Sequence, residues 1–476
     1  MRKRILMLSA MAAVFGSAVA KVKLPHLIGD NMVIQQNTDV RLWGTAALGA
    51  TVNVAVSWSG DGYKTKADGQ GKWLLKSPKA DGRRLSISFD DGDGAVSVGN
   101  VLAGEVWVCA GQSNMEMPIK GFDDCPVDGY NDVVSGARAD SLIHFVKIPS
   151  RMSMTPLDDA MCEWKQCSPE TVGDASATGY FFARMVTKAT GVPVGLVMAN
   201  KGGSRVESWL SRENLERYTK EPLDSAEMVR KYKWDFHRPL LWANGTFNPI
   251  LRYTVKGILY YQGCSNVGDP GNQYSERVKL LAEQWRKDFG LGDIPFYIVE
   301  IAPYESGQAD GTWSARLREQ QLRASDIIPN SGIVGTNDCV YPWELTQIHP
   351  AQKRKVGERL AWLALNKTYG MKSLRCESPR FKAMTVSGDT CYVELDNMYG
   401  GLNRYDGMVG FEVAGEDKVF HTAKAWLAKG RRIAVTCPEV NAPVAVRYCF
   451  RNFMLGNVAN MAGLPLLPFR TDNWDD

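Results

Sequence analysis

The pattern of hydrophobic and polar positions changes character twice along the chain. From Lys21 to about Asn100, short runs alternate apolar with polar residues, as in Val40-Arg41-Leu42-Trp43-Gly44, Thr51-Val52-Asn53-Val54-Ala55-Val56 and Leu85-Ser86-Ile87-Ser88-Phe89. Successive strand side chains point to opposite faces, so a period of two punctuated by Gly and Asp predicts an antiparallel β-sandwich. From Val101 to about Tyr369 the apolar runs become continuous and alternate with longer helical stretches. Val106–Ala110, Pro193–Met198, Gly257–Tyr261, Phe296–Val299 and Gly332–Val334 read as strands buried on both faces. Helices are expected over Gly179–Thr190, Tyr274–Phe289, Ala315–Ala324 and Ala351–Leu365, the last opened by Pro350. Alternation returns from Met371 onward, as in Cys391-Tyr392-Val393-Glu394-Leu395 and Arg432-Ile433-Ala434-Val435-Thr436.

These shifts divide the chain into a β domain over residues 21–100, an α/β domain with a doubly wound, mostly parallel sheet over 101–369, and a second β domain over 370–476. A length of 476 residues suits about three domains. Residues 1–20 stand apart: Arg2-Lys3-Arg4, an apolar run from Ile5 to Phe15, then Ser17-Ala18-Val19-Ala20. A basic head, a short apolar stretch and a small-x-small end predict a cleavable signal peptide and a secreted or periplasmic protein. The run is too short to span a bilayer, which needs about 20 apolar residues, and no later stretch reaches that length.

Charge removes one class of function. The net charge of +4 includes those three N-terminal positives, leaving about +1 on the remainder, so nothing favours a polyanionic partner and nucleic acid is excluded. Of the ten cysteines none forms a C-x-x-C pair, and there is no His-rich cluster, so neither a structural metal nor a cofactor is expected. The acidic run Asp90-Asp91-Gly92-Asp93-Gly94 lacks a following spaced Glu and is better read as a turn than as a calcium loop.

In a doubly wound sheet, ligands bind beyond the C-terminal ends of the strands. Those ends carry Gly111-Gln112-Ser113-Asn114-Met115, Asn200-Lys201-Gly202-Gly203-Ser204 and Gln262-Gly263-Cys264-Ser265-Asn266, and Gln347-Ile348-His349-Pro350 precedes the last helix. Together they offer the parts of an acyl-transfer site. Ser113 is a candidate nucleophile and His349 its base. The backbone N–H of Ser113, that of Gly202 or Gly203, and the Asn266 amide are candidate oxyanion donors. Singly each is weak, since Gly-x-Ser is commonly only a turn, and Met115 replaces the second Gly of the G-x-S-x-G elbow. Gln112 and Gln262 are candidate substrate contacts, and His237 follows an aromatic-rich segment that gives it a smaller claim.

The motif set Gly104-Glu105-Val106-Trp107, Gly111-Gln112-Ser113-Asn114-Met115, Gly202-Gly203, Tyr261-Gln262-Gly263-x-Ser265-Asn266 and Ile348-His349-Pro350, with Asn460 to Pro465 and Pro468 to Asp472 near the end, resembles the sialate O-acetylesterase family of the SGNH-hydrolase superfamily. The resemblance implies an SGNH-type sheet flanked by two smaller β domains. It implies removal of O-acetyl esters from sialic acids through Ser113 and His349, without metal or cofactor. Arg205 then becomes a candidate partner for the sialate carboxylate. An acetylesterase of plant-type polysaccharides such as xylan or xyloglucan, and a non-catalytic carbohydrate-binding protein, are the alternatives. Two departures stand out: Cys264 replaces a Glu found in many relatives, and no Asp lies two or three residues before His349. The His-orienting group is then either the backbone carbonyl of Gln347 or the side chain of Asp338.

Overall fold

The computed structural model describes residues 21–137 and 142–474. The expected signal peptide lies outside the described residues. The chain is α/β, built on an eleven-stranded mixed sheet with smaller antiparallel sheets beside it. The centre of the large sheet is one long strand, Val96–Gly111. Its first half pairs antiparallel with Leu85–Asp90, and its second half pairs parallel with Val194–Asn200 on one side and Gly257–Tyr261 on the other. It therefore runs unbroken through the position where the sequence pattern changes.

Outward from Gly257–Tyr261 lie Phe296–Val299 and Ser331–Val334; outward from Val194–Asn200 lie Ile143–Lys147 and an antiparallel edge strand, Trp164–Gln166. The chain steps away from the central strand in both directions, and in sheets of this topology ligands bind beyond the C-terminal end of the strand where the order reverses. The five expected parallel strands and four helices are present; the helices span Ala177–Thr190, Tyr274–Phe289, Trp313–Ile327 and Lys353–Lys367. The last begins three residues beyond Pro350, because the backbone of Gln352, at φ −79° and ψ 53°, is not helical and stands as the N-cap. Strands Ile143–Lys147 and Trp164–Gln166 are additional to the sequence expectation.

Close packing around the central strand is set by residues without side chains. At Gly104 a Cβ would lie 2.3 Å from the Pro193 carbonyl, and at Gly179 it would lie 2.8 Å from Cys109 Sγ. Trp107, wholly buried, stacks on Tyr297 at 5.8 Å, meets Phe182 edge-on at 5.1 Å, and donates from Nε1 to Tyr369. One sheet of the C-terminal region orders Arg380–Ser387, Thr390–Asp396, Ile433–Thr436 and Lys424–Leu427; the other orders His421–Thr422, Phe411–Ala414, Ala445–Tyr448 and Phe469–Arg470. Alternate residues such as Cys391, Val393, Val413, Val435 and Val446 fill the core between them. Asn452 ties this region to the sheet domain by accepting from the Ser314 N–H and donating to the Gln308 carbonyl.

Trp107→Ala removes the largest buried side chain of the central strand and the N–H that Tyr369 accepts, leaving that hydroxyl only its bond to Glu105. It should lower the free energy of unfolding by about 3–5 kcal/mol, read from a urea transition.

Candidate active site

Ser113 sits where the central strand turns into the short helix Ser113–Glu116. The turn needs Gly111: its φ is +129°, and a Cβ there would lie 2.2 Å from the Tyr261 carbonyl. Being first in its helix, the Ser113 N–H has no intrahelical acceptor. Its hydroxyl lies 2.8 Å from His349 Nε2, although 236 residues separate the two in sequence. The imidazole is held from several directions. Phe122 meets it edge-on at 5.2 Å, the His349 N–H donates to Gln347 Oε1, and Nδ1 faces Cys125 Sγ at 3.8 Å.

The group at Nδ1 corrects both expectations for the histidine's support. The tie from Gln347 to His349 is through its side chain: Oε1 accepts from the His349 N–H and from the Cys125 thiol at 3.4 Å. Asp338 instead forms a two-pronged pair with Arg359, at 2.7 and 2.6 Å, which also donates to the Gly335 carbonyl. That guanidinium, with Lys355, holds the Asp338 carboxyl below its ordinary range against the opposing effect of burial. A thiol is a weak acceptor beside a carboxylate, so it offers an imidazolium little stabilisation.

A second brace joins the serine turn to the histidine loop. Asn114 Nδ2 donates to the Ile348 carbonyl, while its Oδ1 and the Pro350 carbonyl accept from Lys353 Nζ at 2.8 and 2.6 Å. Lys353 is buried, and burial pushes its ammonium down to about 7. Burial first, and the neighbouring Lys353 charge second, hold the His349 imidazole down to about 4. The histidine is therefore neutral at pH 7 and able to accept the Ser113 proton.

The other expected contacts are brought to the same end of the sheet and spent on structure. Gly202 borders the serine, since a Cβ on it would lie 3.4 Å from Ser113 Cβ, but its N–H donates to Glu116 Oε2 at 2.7 Å. Its expected oxyanion role is thus not realised here. Gly203, at φ +76°, lies beneath the Phe236 ring. Asn266 is corrected: both amide hydrogens are committed, to Glu207 Oε2 and the Asp269 carbonyl. Gln112 bonds to Ser265 Oγ and the Gly263 N–H, and Gln262 to Tyr260, Tyr274, Ser204 and Asn266. Both are buried, and their amides are spent as ties between strand ends. Arg205 is corrected too: buried, it pairs with Glu221, Asp269 and Glu207 at 2.9, 2.6 and 3.4 Å, so its charge is already matched.

Sequence reasoning missed Cys125, Phe122, Asn114, Glu116 and Lys353. Asn114 and Glu116 belong to the serine motif itself, and Lys353 lies four residues after His349, so local spacing pointed at them. Nothing local pointed at Cys125 or Phe122. All ten cysteines are free thiols. Among the described residues no group of three or more His, Cys, Asp or Glu is placed to hold a metal ion.

Residues 103–366 match the family model for carbohydrate esterase, sialic acid-specific acetylesterase. The sialate O-acetylesterase of Homo sapiens is 25% identical over 402 residues, covering 76% of this chain and 74% of that one. The Mus musculus sialate O-acetylesterase is 24% identical over 430 residues, covering 79% and 78%. The crystal structure of a carbohydrate acetylesterase from Xanthomonas citri superposes with a TM-score of 0.84 at 32% identity, covering 95% of this chain and all of that one.

Two measurements check the electrostatics. Protonated His349 has no lone pair for the Ser113 proton, so kcat/KM on a small acetyl ester should fall only as pH drops toward 4, well below the ordinary histidine value of about 6.5. Lys353 is charged throughout that range, so Lys353→Met should move the acid limb upward. Asp338→Asn should leave kcat largely intact and destabilise the fold by about 1–3 kcal/mol, because the charged partner of Arg359 is lost.

Proposed function

Because the chain belongs to the carbohydrate esterase family of sialic acid-specific acetylesterases, and is an ester hydrolase of that family, we propose that it removes O-acetyl groups from sialic acids with Ser113 as nucleophile. The observation that carries the reading is the 2.8 Å contact between Ser113 Oγ and His349 Nε2 at the end of the central strand. In the proposed cycle neutral His349 takes the serine proton and Ser113 attacks the acetyl carbonyl. The sugar alcohol leaves with a proton returned by His349, and water then hydrolyses the acetyl-serine with His349 again as base. The Ser113 N–H and the Gly203 N–H are the proposed oxyanion donors, each worth about 3 kcal/mol of barrier by analogy with a measured case. The proposed organisation is SGNH-type, with serine, glycine turn and histidine on separate strand-end segments. Export is proposed as well, on the basic and apolar pattern of residues 1–20.

A second reading, deacetylation of a neutral glycan such as acetylated xylan or xyloglucan, draws support from Arg205. A guanidinium already matched by three carboxylates gains little from a sialate carboxylate, so selection for an acidic sugar does not follow from it.

Ser113→Ala should abolish acetate release with little change in the melting transition, and a fluorophosphonate should label the wild type at Ser113. Labelling at Ser204 or Ser265 would overturn the nucleophile assignment. Acetate release from O-acetylated sialic acids measured beside acetylated xylan separates the two substrate readings.

A further inference from the structure

The aromatic segment that precedes and includes His237 has no part in the chemistry above, yet it is built onto the glycine turn beside the nucleophile. Phe236 lies directly on Gly203, where a Cβ would come within 2.5 Å of Cδ2 of its ring, so only glycine admits the ring at this point. Gly202, the other residue of the turn, borders Ser113. The Phe236 carbonyl accepts from Trp242 Nε1 at 3.2 Å and from Ser208 Oγ at 3.4 Å, which fixes the ring's backbone. His237 meets that ring edge-on at 4.8 Å. On Phe236 lies Trp234, with ring centroids 5.8 Å apart and planes within 8° of parallel. Its indole is nonetheless half exposed, at 51%.

A single exposed tryptophan is ordinary at a protein surface. An exposed indole already stacked, oriented and anchored to the turn beside a nucleophile is a preformed recognition surface, because its ordering cost is met before any ligand arrives. Flat apolar rings with a polar edge complement the C–H face of a pyranose, whose hydroxyls remain free at the rim. Lys233 Nζ, 4.9 Å from the indole centroid and on an exposed side chain, is one such rim group for a sugar hydroxyl. The spacing also bears on the size of the substrate. The indole lies one ring separation, 5.8 Å, from Phe236, which itself lies on the turn that borders Ser113, so a ligand that engages both the nucleophile and the indole is longer than a single sugar in this reading.

We propose that Trp234 is a sugar-stacking, specificity-determining residue, and that the substrate is accordingly an acetylated residue within an oligosaccharide or longer glycan and not a free monosaccharide. The inference rests on the reading that Ser113 cleaves sugar acetyl esters.

The test compares wild type, Trp234→Ala and Trp234→Phe on three substrate classes: acetylated oligosaccharides (xylo-oligosaccharides and an O-acetylated sialyl-oligosaccharide), the matching acetylated monosaccharides, and p-nitrophenyl acetate. Wild type should favour at least one oligosaccharide over its monosaccharide in kcat/KM. Trp234→Ala should erase that preference, through a rise in KM on the order of tenfold. Trp234→Phe, which keeps a flat face, should restore most of it. A wild type without preference for any oligosaccharide, a preference that survives Trp234→Ala, or an equal loss on all three substrate classes would overturn the proposal. Failure of the underlying reading has a different signature: acetate release that persists in Ser113→Ala, whatever Trp234 does.

Discussion

The site depends on how one strand ends. Among the described residues, Val96–Gly111 is the one strand the N-terminal β region and the parallel sheet share, and its last residue packs its backbone against Tyr261 so closely that no side chain fits. That close approach lets the chain leave the sheet at once and presents Ser113 at the start of a helix, with its hydroxyl outward and its N–H without an intrahelical acceptor. A Cβ at Gly111 would displace the strand end, and with it the serine, while leaving Ser113 and His349 themselves unaltered.

Around that strand end, polar side chains act as rigging. Gln112 and Gln262 bind adjacent strand ends together, Asn266 anchors the loop that carries it, and Asn114 with Lys353 couples the serine helix to the histidine loop. Buried polar groups without partners are costly, so each such group must be satisfied, and here the partners come mostly from different strand ends. Rigidity follows, because moving one strand end would break bonds in several others. The same network explains why residues that look like substrate contacts in the sequence are not free to make them.

The electrostatics of the Ser113–His349 pair are distinctive. Nδ1 faces a thiol, and a buried lysine lies nearby without a carboxylate of its own, bonded to an amide oxygen and a carbonyl. Both features disfavour the imidazolium, the first by offering weak acceptance and the second by repulsion. The charge that the sequence offers for substrate recognition, on Arg205, is consumed in a cluster in which Arg277 and Lys231 also face Glu207 and Glu221. In the proposed reading, discrimination among sugars then falls to shape and stacking near the glycine turn more than to the Arg205 charge.

Much of the fold was legible in the sequence. The continuous apolar runs at Gly257–Tyr261 and Phe296–Val299 and the amphipathic stretch Tyr274–Phe289 are local patterns, and periodicity reports local burial directly. The strands at Ile143–Lys147 and Trp164–Gln166 were not, since the first contains His144 and the second is three residues long at an edge. Ser113, Gly203 and His349 could be singled out because strand ends and glycine turns are written in short motifs. The partners of each polar group could not. Gln347 reaches His349 by its amide and not by its carbonyl, Asp338 turns to Arg359, Asn266 turns to Glu207, and Cys125 arrives at Nδ1 from 224 residues away. A side chain states in sequence what it is able to bond. Which of many possible acceptors it meets is decided only when distant segments pack, because hydrogen bonds act over about 3 Å and the chain brings such groups together only in the folded state.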